Sequence, residues 1–97
     1  MTNEHKRVIK RSVQFKKDVR LAHKQGKDIA LLEQLIDLLA DDKPLPEKHR
    51  DHALQGKWKE HRECHVFPDW LLVYRKSDNG VLLLVLARLA SHSELGF

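Results

Sequence analysis

Residues 70–88, WLLVYRKSDNGVLLLVLAR, contain the strongest structural signal in the chain. Two apolar segments, 70–76 and 81–88, flank Ser77-Asp78-Asn79-Gly80, a turn sequence typical of a β-hairpin. Strands joined by so short a turn pair in an antiparallel sheet. The second segment is apolar almost throughout, which predicts a central strand that is covered on both faces.

A third strand is predicted just before this hairpin, at residues 58–66, and Pro68-Asp69 separates the two. Residues 45–57 show no regular period and are predicted to form a loop. Near the start of the chain, residues 5–11 alternate weakly between apolar and polar side chains, which indicates a short strand. We therefore expect a three-stranded antiparallel meander with an added N-terminal strand.

Two helices are predicted between the N-terminal strand and the loop. Ser12 is a suitable N-cap for the first helix, and Asp28 for the second. In the first helix, Phe15, Val19 and Ala22 share one face. The apolar stripe of the second consists of Ile29, Leu32, Leu35, Ile36 and Leu39. The expected fold class is α+β: an N-terminal strand, a helical hairpin and then the meander.

The size and composition of the chain predict one domain, residues 1–97, with a single core. The longest apolar run, residues 81–87, is far shorter than the roughly 20 residues that cross a bilayer. Residues 1–12 lack the apolar segment of a secretory signal. Cys64 is the only cysteine, which excludes an internal disulfide. We therefore expect a cytoplasmic protein with no membrane association.

Positive charge is concentrated near the start of the chain. Residues 6–27 contain nine lysines and arginines but one acid, Asp18, whereas residues 41–97 contain nine of each sign. Such polarity favours a polyanion or an acidic protein as partner. The cations that fall opposite the apolar face of the first helix are Lys16, Lys17, Arg20 and Lys24.

Residues 61–70, HRECHVFPDW, combine two histidines, two acids and the sole cysteine. This composition is compatible with a metal site, a thiol nucleophile, an acid–base site or a solvated strand face. Side chains alternate along a strand. One predicted face holds Lys59, His61, Glu63 and His65, and the other holds Trp58, Cys64 and Val66. Cys64 is accordingly predicted to be a core residue rather than a nucleophile.

A metal site is not predicted. His61-Arg62-Glu63 matches half of the zinc deaminase signature, but the cysteine pair that completes this signature is absent. His61 and His65 would lie about 13 Å apart along a strand, which is too far for one ion to bind both. We therefore expect neither a metal ligand set nor another cofactor.

Acid–base chemistry remains as the reactive alternative. The chain contains seven histidines, the side chains best suited to proton transfer near neutral pH. Histidines and carboxylates beside a basic surface suit metal-independent RNA cleavage. In that reaction a base deprotonates the ribose 2′-OH, which attacks phosphorus, and an acid protonates the departing 5′-oxygen. A cation near the phosphate stabilises the added negative charge.

Residues 51–74, DHALQGKWKEHRECHVFPDWLLVY, together with ASHSEL at 90–95, closely resemble the YafQ branch of the RelE toxin superfamily. The helical hairpin and the apolar strand match in order and length, so the resemblance spans nearly the whole chain. It implies a type II toxin–antitoxin toxin that enters the ribosomal A site and cuts the mRNA there. Its implied partners are the ribosome, mRNA and an inhibitory antitoxin.

The resemblance implies catalytic roles for His52, His65, Asp69 and His92. His92 is the implied general acid, while Asp69 or His65 lies closer to the 2′-OH. RNA contacts are implied for Glu63, where the branch often has Asp, and for Phe97, which Gly96 separates from Leu95. Charge alone adds Lys57, Lys59 and Arg62 as candidate phosphate contacts.

Two other functions share these features in part. A non-catalytic RNA-binding or ribosome-binding module of the same fold would need the basic surface but not the histidine set. A gyrase poison of the ParE kind shares the superfamily fold, but that branch lacks the histidine-rich site. The histidines therefore favour the endoribonuclease.

Overall fold

A five-stranded sheet with two helices packed on one face forms the body of the protein, in a computed structural model that describes residues 5–96. The elements are β1 (Val8–Arg11), α1 (Val13–Lys24), α2 (Ile29–Ala40), β2 (His52–Ala53), β3 (Arg62–Phe67), β4 (Trp70–Ser77), β5 (Leu83–Ala90) and α3 (His92–Leu95). Short 3-10 turns occur at Glu47–His49 and Gly56–Trp58. This architecture confirms the predicted α+β class.

The sheet order is β1-β5-β4-β3-β2. β1 runs parallel to β5, and every other neighbouring pair is antiparallel. β2 is a two-residue edge strand inside the segment predicted as loop, and it pairs with the start of β3. The predicted third strand is shorter than expected, because β3 begins at Arg62 and residues 59–60 form a turn.

Both helices begin at the predicted caps. The Ser12 hydroxyl accepts a hydrogen bond from the Phe15 amide, and the Asp28 carboxylate accepts one from the Leu31 amide. Their apolar faces pack on the sheet. The main core contains Phe15, Ala22, Leu32, Leu35, Ile36, Leu39, Cys64, Val66, Leu72, Tyr74, Leu84 and Leu86. Among the described residues, no helix is both long and apolar enough to cross a membrane.

The strand that is covered on both faces is β4, not the predicted segment 81–88. Five successive residues of β4 are buried: Trp70, Leu71, Leu72, Val73 and Tyr74. In β5, Leu84 and Leu86 are buried against the helices, whereas Val81 and Leu82 precede the strand and are exposed. β4 is central because it lies third in the sheet, and Leu54, Trp58 and Leu95 cover its second face.

A bulge interrupts β5. The N-cap and one side chain of α1 form hydrogen bonds with the backbone groups of β5 near this bulge. The register of the β4–β5 pair shifts between Val73 and Tyr74, leaving Ala87 as the extra residue. The Ser12 hydroxyl donates to the Ala87 carbonyl at 2.8 Å. The buried Asp18 carboxylate accepts from the Leu89 amide and from Nε of Arg88, both at 2.9 Å. This contact fixes the end of β5, from which α3 follows.

Arg7 joins three segments that are distant in sequence. Its guanidinium is buried and contacts Asp42 Oδ1 at 2.6 Å through Nε and Asp78 Oδ1 at 2.7 Å through Nη1. Nη1 also donates to the Leu83 carbonyl at 3.1 Å. The Arg7 and Lys76 cations hold the pKa of Asp42 well below its ordinary value, at about 2. These contacts attach the chain before β1 to the end of α2 and to the β4–β5 turn.

Candidate active site

The pairing of β2 with β3 brings three of the predicted site residues together. His52 lies opposite Glu63, and His65 follows Glu63 by two positions, so all three side chains point to the sheet face that the helices leave open. His52 Nε2 is 3.0 Å from Glu63 Oε1, and His65 Nε2 is 3.8 Å from the same oxygen. Glu63 itself is almost fully buried.

His92 and Asp69 complete this group from the adjacent end of the sheet. Asp69 lies in the β3–β4 turn, and His92 is the first residue of α3, where Ser91 and Glu94 form a capping box. The Asp69 carboxylate accepts from Nδ1 of His92 at 2.7 Å and from its backbone amide at 3.2 Å. The rings of His65 and His92 are 5.5 Å apart, and those of His52 and His65 are 6.2 Å apart. The four residues predicted to be catalytic therefore form one continuous group with Glu63.

In His52, His65 and His92, Nδ1 donates a hydrogen bond to a backbone carbonyl or to a carboxylate. His52 Nδ1 donates to the Arg50 carbonyl at 2.6 Å, and His65 Nδ1 donates to the Pro68 carbonyl at 3.2 Å. His92 Nδ1 donates to Asp69. Nε2 is therefore the nitrogen that His65 and His92 can use for proton transfer, because the acceptor of Nδ1 determines which nitrogen keeps its proton. In His52, Nε2 is itself 3.0 Å from the Glu63 carboxylate.

Asp69 remains a carboxylate under ordinary conditions. The hydrogen bond from the His92 side chain is the main cause that lowers the pKa of Asp69, and the His92 amide and the charge of Lys27 act in the same direction. Lys27 Nζ lies 4.7 Å from the centre of the Trp70 ring, beside Asp69. A carboxylate held in this way is better suited to orienting His92 than to accepting a proton itself.

Cys64 lies on the opposite face of β3, as the strand alternation predicts. Its side chain is fully buried in the main core. Burial raises the pKa of the Cys64 thiol far above its ordinary value, which excludes a thiolate nucleophile near neutral pH. By contrast, the predicted placement of Trp58 on the Cys64 face is wrong, because Trp58 packs with Leu71 and Val73 on the opposite side of the sheet. Lys59 and His61 precede β3, so strand alternation does not apply to them.

A hydrogen-bonded network holds the segment before His52. The buried Tyr74 hydroxyl donates to Asp51 Oδ1, and Nε of Arg62 contacts the same oxygen at 3.2 Å. Burial, and then the hydrogen bond to Asp51, raise the pKa of Tyr74 well above its ordinary value. Arg50 adopts a left-handed backbone conformation, with φ of 46°, which presents its carbonyl to His52. This network fixes the position of His52.

Arg62 lies away from the candidate catalytic histidines, on the other face of the sheet. It lies opposite Tyr74 in the β3–β4 register, on the helix-facing side, and binds Asp51. Its predicted role as a phosphate contact has no support in this geometry. Lys57 and Lys59 are exposed in and after the second 3-10 turn, so their phosphate contacts stay predictions. The prediction for Phe97 lies outside the described residues.

Three lining residues that the sequence did not single out are His49, Lys48 and Arg50. His49 is buried, and its Nδ1 donates to the His65 carbonyl at 2.7 Å. With His65 and His92, these residues border an open cleft of about 700 Å³. Residues 46–48 show no periodic pattern in the sequence. His49 is held by a contact with the backbone of His65, which lies 16 residues further along the chain. No local pattern could have revealed it.

The expectation that no ligand set can be assembled is wrong for one combination. His52, Glu63 and His65 each offer a ligand atom, and these atoms lie within 4.8 Å of one another. The second carboxylate oxygen of Glu63 is buried without a hydrogen-bond partner among the described residues. Two imidazole nitrogens and a carboxylate oxygen suit a transition-metal ion such as Zn²⁺ or Cu²⁺. The predicted spacing of His61 and His65 concerns one strand, whereas His52 reaches the group from the neighbouring strand, where it pairs with Glu63.

Comparisons with known proteins agree with this geometry. The sequence model of the family described as "Bacterial toxin of type II toxin-antitoxin system, YafQ" matches residues 7–96. The chain is similar to the mRNA interferase toxin YafQ of Escherichia coli (strain K12), with 44% identity over 90 residues, which cover 92% of this chain and 95% of that protein.

Solved structures with the same fold include a toxin bound to its antitoxin. In the crystal structure of the E. coli DinJ–YafQ complex, one chain matches with a TM-score of 0.82 and 44% identity, covering 93% of this chain and 97% of that chain. A metal-bound toxin from Helicobacter pylori matches with a TM-score of 0.84 and 44% identity, covering 91% and 97% of the two chains.

Proposed function

This chain belongs to the YafQ family of toxins from bacterial type II toxin–antitoxin systems, and from that membership we propose that it is an mRNA interferase. The proposed reaction is cleavage of mRNA on the translating ribosome by metal-independent acid–base catalysis. The observation that supports it best is the row of His52, Glu63, His65, His92 and Asp69 on an open face, with every histidine Nδ1 fixed.

His92 is the proposed general acid. Its Nε2 is free to donate a proton to the departing 5′-oxygen, while Asp69 holds Nδ1 and stabilises the positive ring before transfer. The capping box of α3 and the end of β5 fix the backbone of His92. A proton donor on a rigid element keeps the alignment that proton transfer requires.

His65 is the proposed general base. Its Nδ1 proton is held by the Pro68 carbonyl, so Nε2 presents a lone pair to the ribose 2′-OH. The Glu63 carboxylate, 3.8 Å away, lies where it can stabilise the positive charge that His65 acquires. His52, bound to the same carboxylate at 3.0 Å, lies where its charge can stabilise the pentacovalent phosphate. With His65 and His92 as neighbours, one phosphodiester can contact both groups.

A bound metal ion is not required for these steps. An ion held by His52, Glu63 and His65 would supply positive charge close to the phosphate, but it would also occupy the nitrogen that His65 uses as a base. Metal binding and the proposed proton transfers therefore compete for the same atoms.

The test of this function compares cleavage of two substrates, ribosome-bound mRNA and free mRNA, by one protein preparation. The protein is stripped with EDTA and desalted, and single-turnover cleavage is then measured in Mg²⁺ buffer that keeps ribosomes intact. We expect mRNA on programmed ribosomes to be cut at least roughly tenfold faster than the same mRNA free in solution, because the ribosome fixes the message in the site. The products should carry a 2′,3′-cyclic or 3′-phosphate and a 5′-hydroxyl.

Several results would contradict the proposal. Equal cleavage of naked and ribosome-bound mRNA would remove the ribosome from the mechanism. Products with a 5′-phosphate and a 3′-hydroxyl, or activity that returns only when Zn²⁺ or Mn²⁺ is restored to the stripped protein, would indicate metal-assisted hydrolysis. A protein without any cleavage that still binds ribosomes would be the non-catalytic module of the same fold.

The exposed face of α1 is the proposed contact surface for the antitoxin and for rRNA. Lys16, Lys17, Arg20 and Lys24 are exposed there. Val13 and Leu21 on the same helix are also exposed, which adds apolar area to the positive charge. An acidic antitoxin segment that folds on binding would match this combination.

Reversing Lys16, Lys17 and Arg20 to glutamate should weaken antitoxin binding roughly tenfold or more, mainly through slower association at low salt. Titration calorimetry and stopped-flow measurements at two ionic strengths would detect the change. A charge-matched control reverses Lys43, Lys57 and Lys59, which are exposed away from α1. Unchanged affinity and salt dependence in the α1 variant would place the antitoxin elsewhere.

A further inference from the structure

The cleft beside the catalytic histidines has a floor and a rim of different chemistry. Leu31 of α2 and the end of β3, at Val66 and Phe67, provide the apolar floor, and Pro68 continues it. Leu31 and Phe67 are half-buried and pack against the main core, so the floor is a firm surface rather than a mobile loop. Besides the imidazole rings of the lining histidines, Phe67 supplies the one large aromatic ring among the lining residues.

The rim is positively charged. Lys48 and Arg50 border the cleft, and both are exposed. Neither forms an ion pair with any residue from 5 to 96, so their charge is available to a ligand. Between them, buried His49 binds the His65 carbonyl, and the Arg50 carbonyl binds His52. The basic turn is therefore joined directly to two of the catalytic histidines.

An aromatic floor under a cationic rim is the arrangement that binds a single nucleotide. Unstacked bases of single-stranded RNA stack on aromatic and apolar side chains, while lysine and arginine contact the phosphates. The cleft volume of about 700 Å³ lies in the usual range for small-ligand sites. A site of this size holds one or two nucleotides but not a duplex.

We propose that this cleft binds one mRNA nucleotide adjacent to the scissile phosphate, with its base on Phe67 and Pro68 and its phosphate between Lys48 and Arg50. His65 and His92 line the cleft, so a nucleotide in it would lie beside the bond that these histidines are proposed to cut. The inference rests on the proposed function, because it assigns a substrate subsite for that reaction. It makes Phe67 and Lys48 positioning residues that hold the message for the histidines.

The first experiment measures nucleotide binding without the ribosome. AMP, UMP and ribose 5-phosphate are titrated into the ¹⁵N-labelled protein, and chemical-shift changes give the site and the affinity. We expect AMP to shift the amides of residues 48–50 and 66–67, and of Asp69 beside Pro68, which has no amide proton. Phe67→Leu should weaken AMP and UMP binding about fivefold or more and leave ribose 5-phosphate unchanged, because only stacking is lost. Phe67→Tyr, which keeps the ring, should bind as the unmodified protein does.

The charged rim is tested by Lys48→Gln, with Lys43→Gln as the matched control outside the cleft. Lys48→Gln should weaken all three ligands, and Lys43→Gln should weaken none. Equal AMP affinity in Phe67→Leu and Phe67→Tyr, or shifts confined to other regions, would overturn the subsite. Protection of these amides by the antitoxin alone, without any nucleotide effect, would assign the cleft to the protein partner and overturn it equally.

The second experiment measures cleavage on ribosomes carrying messages that differ only at the positions flanking the cut. Phe67→Leu should slow single-turnover cleavage roughly tenfold and flatten the preference at one flanking position. If the unmodified protein is active and Phe67→Leu keeps both its cleavage rate and its flanking preference, the proposed subsite is wrong but the proposed function stands. Absence of cleavage by the unmodified protein would instead reject the proposed function, while nucleotide binding could still be judged by NMR.

Discussion

Replacing His92 with alanine should lower single-turnover cleavage on saturated ribosomes by roughly 10²-fold or more. The substitution removes the imidazole that Asp69 orients through Nδ1, whose Nε2 has no hydrogen-bond partner among residues 5–96. Protonation of the leaving 5′-oxygen would then fall to water. Stability should change little, because His92 is partly exposed and its backbone is held by the Ser91 capping box.

A matched control and a second variant sharpen this experiment. His23→Ala removes an exposed imidazole from α1 that makes no side-chain hydrogen bond with the described residues. On saturated ribosomes, where weaker rRNA contact does not limit the rate, this variant should cleave normally. Asp69→Asn should also slow cleavage, since the amide orients His92 less well. If both residues act as a unit, the double variant should lose little more than His92→Ala alone. Near-normal cleavage by folded His92→Ala would transfer the acid role to His52 or His65.

Replacing Arg7 with methionine should lower the free energy of unfolding by about 2 kcal/mol. Removing one partner of a buried ion pair typically costs about 3–5 kcal/mol, but Asp42 and Asp78 are exposed enough to regain water, which reduces the cost. For a chain of 97 residues this corresponds to a melting temperature lower by roughly 10 °C. Calorimetry and urea denaturation would measure both quantities.

The difference in the free energy of unfolding between the unmodified protein and Arg7→Met should become smaller at low pH. The pKa of Asp42 is lowered in the folded state to about 2, so its stabilising effect is fully present above the ordinary pKa of 3.8 and is lost as pH falls toward 2. The stability gap should therefore narrow between pH 4 and 2. Arg11→Met is the matched control, because Arg11 is more exposed and its contact with Glu33 is 3.8 Å long. Equal losses in both variants would show that the ion pairs of Arg7 stabilise the fold no more than the long, exposed contact of Arg11 with Glu33 does.

Local sequence features predicted the elements that depend on neighbours along the chain. Ser12 and Asp28 cap helices because an N-cap needs only the amides of the next turn. Cys64 and Glu63 point to opposite faces because alternation is a property of any strand. The predicted catalytic residues came from the family resemblance, and the structure brings them together without testing their roles.

Contacts between distant segments could not be predicted in the same way. β2 has two residues, too few for a period, and exists only because β3 supplies its partner. In the sequence, Asp18 is the single acid of a basic segment, yet it is buried against an amide 71 residues away. The bulge at Ala87 changes the register of β5 and leaves no mark on composition. In these features, a backbone N–H or C=O group finds its hydrogen-bond partner in a segment that is distant in the sequence.

The parallel pairing of β1 with β5 has a consequence for synthesis of the toxin. Translation produces β1 first, but the strand that hydrogen-bonds to it, and the helix that carries His92, appear only after residue 83. A nascent chain halted earlier therefore has an unpaired first strand and lacks His92, the proposed general acid. Folding must close this long loop late, which makes it slower than local pairing would be. We therefore expect copies that terminate before residue 83 to lack both the complete sheet and the complete candidate site.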